Sequence, residues 1–266
     1  MNPPDPLILS LSKDVSTQSS LLLLLDFDGT LSEIAPRPED AVLRPGNSKL
    51  LEALSRKPGS TVGILSGRSL DDVAHRVGVP GLVYAGNHGL EISGPDLQYL
   101  HPAAAASIPA FSEIASRLVS ALSDVPEAQV ENKTLTLTVH YRRVPPQYHH
   151  RVESIVHDVA GSAITAGRIR SSTAKAAIEL RPAVDWDKGR ALDLVRSRLA
   201  PGAFPIYIGD DATDEDAFAA AQAVGGFGVF VGPAGSATRA KYRLDSPAAV
   251  SDALAKLASG QSLRPG

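Results

Sequence analysis

Apolar and polar positions along this chain fall into two kinds of segment. Leu21 to Leu25 is an unbroken leucine run, cut off by Asp26, Phe27, Asp28, Gly29 and Thr30. A run without alternation marks a strand covered on both faces in a parallel sheet. TVGIL (61–65), ended by Ser66, Gly67 and Arg68, and PIYIG (205–209), ended by acids, have the same form. Shorter runs at 81–84 and 227–232 predict further strands. Between them the spacing turns helical. Asn47 or Ser48 is placed to cap a helix ending near Arg56, and Asp187 one over Lys188–Leu199. Ser69 with Asp72 resembles a capping box opening a helix over Leu70–Val77. Ala248–Ala258 reads as a closing amphipathic helix. The order β, α, β, α, β predicts a parallel sheet with right-handed crossovers.

The middle third differs. The stretch AAAASIPAFSEIASRLVSAL (103–122) predicts a helix interrupted near Pro109. VENKTLTLTVHYR (130–142) alternates, with Leu135, Leu137 and Val139 on one side and Thr134, Thr136, Thr138 and His140 on the other. That predicts a strand with one face in water, with Asn132 as a hairpin residue. A helix over Gln147–Val159 precedes ITAGRIR (164–170) and KAAIELR (175–181), which read as a hairpin. Residues 100–182 are therefore expected to form a small α+β module inserted into a parallel domain of residues 1–99 and 183–266.

Composition narrows the classes. A length of 266 residues suits one large domain or two modest ones. Lys and Arg number 26 against 29 acids, a balance of −3, and aromatics are 5%, which argues against a nucleic-acid partner. The leucine run is too short to cross a bilayer, and residues 1–20 lack the basic start and long apolar core of a signal peptide. The absence of cysteine excludes a disulfide framework, thiolate catalysis and a cysteine zinc site. A soluble cytoplasmic chain is expected; no motif fixes the oligomeric state, with a monomer favoured.

The strand ends carry the candidate chemistry. Asp26 and Asp28, at i and i+2, point to the same side while the chain stays extended. They would repel unless a cation sat between them, and a hard oxygen-liking ion such as Mg²⁺ fits. The same pentapeptide also reads as a polar strand end followed by an Asp-Gly turn, with Gly29 free to reverse the chain. Ser66 with Arg68, Lys188, and Asp210 to Asp214 stand at other strand ends or helix starts. Ligands of open α/β sheets sit beyond the carboxyl ends of the strands. Carboxylates for a metal, a hydroxyl and a cation for phosphoryl oxygens, and an in-line nucleophile are what phosphoryl transfer requires.

In this order DFDGT, the strand-end Ser66, Lys188 and GDDATD resemble the four motifs of the haloacid dehalogenase superfamily of phosphohydrolases, across about residues 20–99 and 183–258. More finely, DFDGTLSEI, ILSGR, YAGNHGLE, VENKTLTLTVHYR, IELRP, WDKG and YIGDDATDEDAF resemble trehalose-6-phosphate phosphatases nearly end to end. The resemblance implies an α/β fold, a parallel-sheet Rossmann-like core with an inserted α+β cap that closes over the site. It implies Asp26 as nucleophile forming an aspartyl-phosphate, and Asp28 as the acid that then becomes the base. Mg²⁺ would be held by the Asp26 carboxylate, the Asp28 carbonyl and Asp210, with Asp211 and Asp214 behind them. Ser66 would donate to a phosphoryl oxygen, and Lys188 would offset charge. Its place at a helix start disfavours a purely local role for a cation. Gly29, Thr30, Gly67, Arg68, Asn87 and His88 are implied as substrate-binding in the core. Glu131, Lys133, Arg142 and Glu179 are implied as ligands of sugar hydroxyls or phosphate on the cap.

Blander readings stand beside these. Arg68 reads equally as an anchor for the next helix, Asp71 and Asp72 as surface first-turn acids, and Asp211, Asp214, Glu215 and Asp216 as acids favouring a helix start. Glu131 and Lys133 read as a solvated pair at i, i+2. The function implied is Mg²⁺-dependent hydrolysis of trehalose 6-phosphate. Alternatives are a phosphatase for another glycosyl phosphate (sucrose 6-phosphate or glucosylglycerol phosphate), a phosphomutase, or a non-catalytic sugar-phosphate sensor.

Overall fold

The computed structural model describes residues 20–174 and 176–259. The expectation of no signal peptide falls on residues 1–19, outside those described, and so does Lys175 of the expected hairpin. The described residues form two compact units, one running to Tyr99 and resuming at Trp186, the other Leu100–Asp185.

The first unit opens with β1 (Leu21–Leu25), α1 (Asn47–Ser55), β2 (Ser60–Leu65), α2 (Leu70–Val77), β3 (Val83–Gly86), β4 (Glu91–Gly94) and β5 (Leu97–Leu100). The second contains α3 (Pro102–Ala121), β6 (Gln129–Asn132), β7 (Leu137–His140), α4 (His149–Thr165), β8 (Ile169–Ala174) and β9 (Ala177–Pro182). The first then resumes with α5 (Lys188–Leu199), β10 (Phe204–Gly209), α6 (Glu215–Ala223), β11 (Phe227–Val231), β12 (Tyr242–Leu244) and α7 (Pro247–Ser259). Its eight strands lie in the order β12-β11-β10-β1-β2-β3-β4-β5. Pairing is parallel from β12 to β3, and β4 runs antiparallel to β3.

The leucine run behaves as a strand covered on both faces must. Leu21, Leu23 and Leu25 join a core with Leu51, Val73 and Leu254, from α1, α2 and α7. Leu22 and Leu24 join the opposite core with Leu192 and Phe218, from α5 and α6. Each fully buried leucine contributes roughly 1.5–3 kcal/mol. β1 is central, and Leu25 is level with Ile64 of β2 and Ile208 of β10. That register brings Asp26, Ser66 and Asp210 out at one end of three adjacent strands.

Several local expectations are corrected. The cap of α1 is Gly46, at φ 88°, and Asn47 is buried inside the helix. The hairpin β4–β5 and the edge strand β12 extend the sheet beyond the runs read from sequence. α3 passes through Pro109 without a break. Residues 130–142 are not one strand but the hairpin β6–β7, turned where Asn132 Oδ1 accepts from Thr134 N at 2.9 Å and Thr134 takes φ 69°. Its threonine face is not wet, since Thr136 and Thr138 are buried. α4 runs on to Thr165, because Val152, Val156 and Ala160 keep its apolar stripe against the sheet, so β8 starts only at Ile169.

Candidate active site

Asp26 leaves β1 with its backbone N–H donated to Ile208 O of the neighbouring strand. Its side chain is buried; Oδ1 accepts from Phe27 N at 2.7 Å, and Oδ2 lies 3.0 Å from Lys188 Nζ. Burial pushes its carboxyl well above the usual range; Lys188 pulls it down, while Asp214, Asp210 and Asp28 push it further up. Single carboxylate oxygens of Asp26, Asp210 and Asp214 lie within 4.8 Å of one another. Three acids so close do not all stay ionised without added positive charge, and an all-oxygen carboxylate set suits Mg²⁺.

Lys188 supplies part of that charge. Asp187 caps α5 by accepting from Arg190 N at 2.8 Å, which starts the helix with Lys188 pointing inward and almost wholly buried. Its ammonium lies 2.6 Å from Asp214 Oδ1. Burial alone would lower the lysine's pKa, but Asp214 and Asp26 outweigh it and the net direction is upward. Asp214 is fully committed. Its Oδ1 also accepts from Tyr207 Oη at 2.7 Å, and its Oδ2 accepts from Asp211 N at 2.9 Å. Asp211 and Asp214 together cap the short turn that leads into α6. Asp214 therefore holds Lys188, which leaves Asp26 and Asp210 as the members of the cluster suited to hold a cation.

Asp28 faces elsewhere. Its Oδ2 accepts from Arg68 Nε at 2.7 Å and its Oδ1 from Arg68 Nη2 at 2.8 Å. This corrects the idea of one cation bridging the Asp26 and Asp28 carboxylates: the chain bends after Asp26, and a guanidinium meets Asp28. Gly29 makes the bend at φ 79°, and its backbone passes so close to Asp210 that a Cβ there would sit 2.2 Å from Oδ2. Thr30 is fully buried, and its hydroxyl has no hydrogen-bond partner among the described residues.

Ser66 and Gly67 are set by the turn after β3. Asn87, His88 and Gly89 all take positive φ, at 49°, 59° and 87°. In this left-handed turn Asn87 N donates to Arg68 O at 2.6 Å and His88 N to Ser66 O at 2.9 Å. The His88 ring lies against Gly67, where a Cβ would come 2.9 Å from Cε1. Glu91 Oε1 clamps the assembly by accepting from Asn87 Nδ2 and from Leu70 N, each at 2.7 Å.

In the second unit, Glu131, Thr138 and Glu179 form one cross-strand row. Lys133 Nζ lies 3.4 Å from Glu179 Oε1, and Glu131 Oε2 lies 2.8 Å from His140 Nε2. Lys133 thus pairs across strands with Glu179. Arg142 is exposed in the turn after β7.

The family model for trehalose-phosphatase matches residues 24–248. The chain belongs to the trehalose-phosphatase family. The trehalose-phosphate phosphatase of Mycobacterium leprae is 39% identical over 96% of this chain and 61% of its own length. A Mycobacterium tuberculosis protein described as an uncharacterized glycosyl hydrolase is 41% identical over 96% of this chain and 20% of its own length. The chain thus spans between a fifth and three fifths of these curated relatives. In fold it is similar to the C-terminal domain of C. albicans trehalose-6-phosphate phosphatase, with a TM-score of 0.81 and 24% identity over 97% of each chain.

For this trehalose-phosphatase family member, the fold brings together Asp26, Asp210, Asp211, Asp214 and Lys188, with Asp28, Gly29, Ser66, Gly67, Arg68, Asn87 and His88 around the same strand ends. Sequence reasoning missed Tyr207 and Glu91. Tyr207 had a signal, a lone polar tip inside the apolar strand PIYIG. Glu91 had only its place in GNHGLE. Asp72 was read as a surface acid, but it accepts from Arg68 Nη1 at 2.7 Å and from Arg76 Nε at 2.9 Å. Those bonds lower its pKa although burial alone would raise it.

Proposed function

We propose that this chain hydrolyses trehalose 6-phosphate to trehalose and phosphate, with Mg²⁺, through an aspartyl-phosphate on Asp26. The observation that carries the reading is the meeting of Asp26, Asp210 and Lys188 at one set of strand ends within a member of the trehalose-phosphatase family. Held by the Asp26 and Asp210 carboxylates and the Asp28 carbonyl, Mg²⁺ would neutralise charge on the phosphoryl oxygens. Asp26 Oδ attacks phosphorus, its other oxygen steadied by the ion pair or by Phe27 N. Asp28 gives a proton to the departing sugar oxygen, then takes one from the water that cleaves the acyl phosphate. Lys188 offsets charge beside Asp26, and Ser66 Oγ is the hydroxyl for a phosphoryl oxygen. Glu131, Lys133 and Glu179 supply the acceptors and donor that sugar hydroxyls need. Intact acids with Lys188 favour an enzyme over a silent sensor.

The test is phosphate release from trehalose 6-phosphate, glucose 6-phosphate and sucrose 6-phosphate, with and without chelator. Trehalose 6-phosphate is expected to react at least about 100-fold faster than the others. Equal rates would reject the substrate, and full activity in chelator would reject the metal. No helix among the described residues is long and apolar enough to cross a membrane.

Gly29→Ala tests the metal set from outside it. The new Cβ needs the space of Asp210 Oδ2 and a left-handed backbone that alanine disfavours. Displacing that carboxylate is expected to raise the Mg²⁺ concentration for half-maximal activity by about 10–100-fold. An unchanged Mg²⁺ titration would remove Asp210 from the proposed site.

A further inference from the structure

We propose that Arg68 is the positioning residue for Asp28, holding that carboxylate where it hands over and takes back the proton, and is not a phosphate ligand. This rests on the function proposed above. The guanidinium is wedged in place on every side. Nε and Nη2 grip the two oxygens of Asp28, Nη1 donates to Asp72 at 2.7 Å, and Nη2 also donates to Pro38 O at 2.8 Å. The Phe27 ring lies 5.4 Å from its Cζ. Asp72 is in turn fixed by Arg76, whose Nη1 donates to Ala41 O at 2.7 Å. Exposure separates the two partners: the Arg68 side chain is 7% exposed and that of Asp28 is 40%. The buried, braced member is the fork, and the open member is the carboxylate.

Such a fork does two things for an acid–base residue. A half-exposed aspartate just past a strand end otherwise samples several rotamers, whereas a planar bidentate partner selects one. When one Asp28 oxygen carries the proton, the other still accepts from the fork, so the carboxyl keeps its place through both half-reactions. As the P–O bond to the sugar breaks, the proton of Asp28 goes to the sugar oxygen. In the second half the attacking water loses its proton to the same group. A phosphate, by contrast, would find most of Arg68's N–H groups already occupied.

The role predicts a dependence on leaving group that neither a phosphate ligand nor a mere scaffold would give. Trehalose 6-phosphate expels an alkoxide that needs a proton; p-nitrophenyl phosphate expels a phenolate that does not. Release of each leaving group is measured in a single turnover at saturating Mg²⁺ for the wild type, Arg68→Met, Asp28→Asn and the double variant. Arg68→Met is expected to slow release of the sugar by about 100-fold, and of p-nitrophenol by less than about threefold. In the Asp28→Asn background, adding Arg68→Met should change sugar release by less than about twofold. Equal losses on both substrates, or a full further loss in the double variant, overturn the proposal. Where Arg68→Met does not fold, Arg68→Lys keeps the charge but loses the fork, and the same ratio decides. A wild type that cleaves the aryl ester but no sugar phosphate would instead sink the proposed function, an outcome distinct from either of these.

Discussion

Asp26→Asn is expected to abolish phosphate release from trehalose 6-phosphate and, in chelator, to raise the melting temperature. The first effect follows from the nucleophile role proposed for Asp26: an amide oxygen does not form the acyl phosphate, and a loss of at least about 10³-fold is expected. The second follows from the site's electrostatics. Burial, with Asp214, Asp210 and Asp28 nearby, raises the Asp26 pKa in the folded chain above its unfolded value, Lys188 notwithstanding. An acid whose folded pKa is raised is ionised more readily when unfolded. Its charge therefore destabilises the fold as pH climbs above the ordinary carboxylate range, and has no such effect below it. Asparagine removes that cost and leaves Lys188 paired with Asp214. Thermal unfolding should show the gain near neutral pH, shrinking towards about pH 4 as Asp26 becomes protonated in both states. Added Mg²⁺ should narrow the gap, because an ion bound only by the folded wild type stabilises the wild type alone. Residual turnover close to wild type would remove Asp26 from the chemistry. A lower melting temperature in chelator would mean the acid cluster is a stabilising feature and not a strained one.

Lys188→Met is the converse case. The ammonium is buried between Asp26 at 3.0 Å and Asp214 at 2.6 Å. Methionine fills the space but leaves both carboxylates buried without their counter-charge. Breaking a buried ion pair from one side costs about 3–5 kcal/mol, a large part of an ordinary domain's 5–15 kcal/mol. Because the neighbouring acids raise the lysine's pKa, the stability its charge contributes is fully present below the ordinary lysine value and is lost only as pH rises beyond it. The destabilisation should hold from about pH 6 to about pH 9 and fade only at higher pH. Turnover should fall by at least about 100-fold, since charge beside the phosphoryl group goes unopposed. Denaturant unfolding and phosphate release measured on the same preparation check both parts. A variant as stable as the wild type would mean that Asp26 and Asp214 are protonated in the resting protein. A variant with unchanged turnover would remove Lys188 from the site.

Long-range order was readable where the pattern was one-dimensional. The run Leu21–Leu25 specified a strand with two covered faces, and α/β alternation specified the parallel sheet, because burial on both faces admits only apolar residues. Strand ends were readable too, since carboxylates and glycines end an apolar run abruptly, and that exposed Asp26, Asp28, Ser66 and Asp210. The hairpin at 130–142 was readable only in part: Asn132 reads as a hairpin residue, but the alternation reads as one strand. Period-two alternation is the same for one strand and for two joined by a tight turn, and the turn was decided by Asn132 capping Thr134. Pro109 misled in the other direction, since a helix packed along its length keeps running across a single lost hydrogen bond.

What the sequence determined by itself was the inventory: which groups stand at the ends of buried strands, and in what order along the chain. What only the tertiary structure decided was the partnering. Asp214 holds Lys188, Arg68 takes Asp28, Glu91 locks the turn at Asn87, and Glu179 meets Lys133 across strands. The reason is physical. Periodicity reports whether a position faces the core or the solvent, a property of one element at a time. Which charge lies opposite which depends on strand register and on how segments far apart in sequence converge, and no local pattern carries that information.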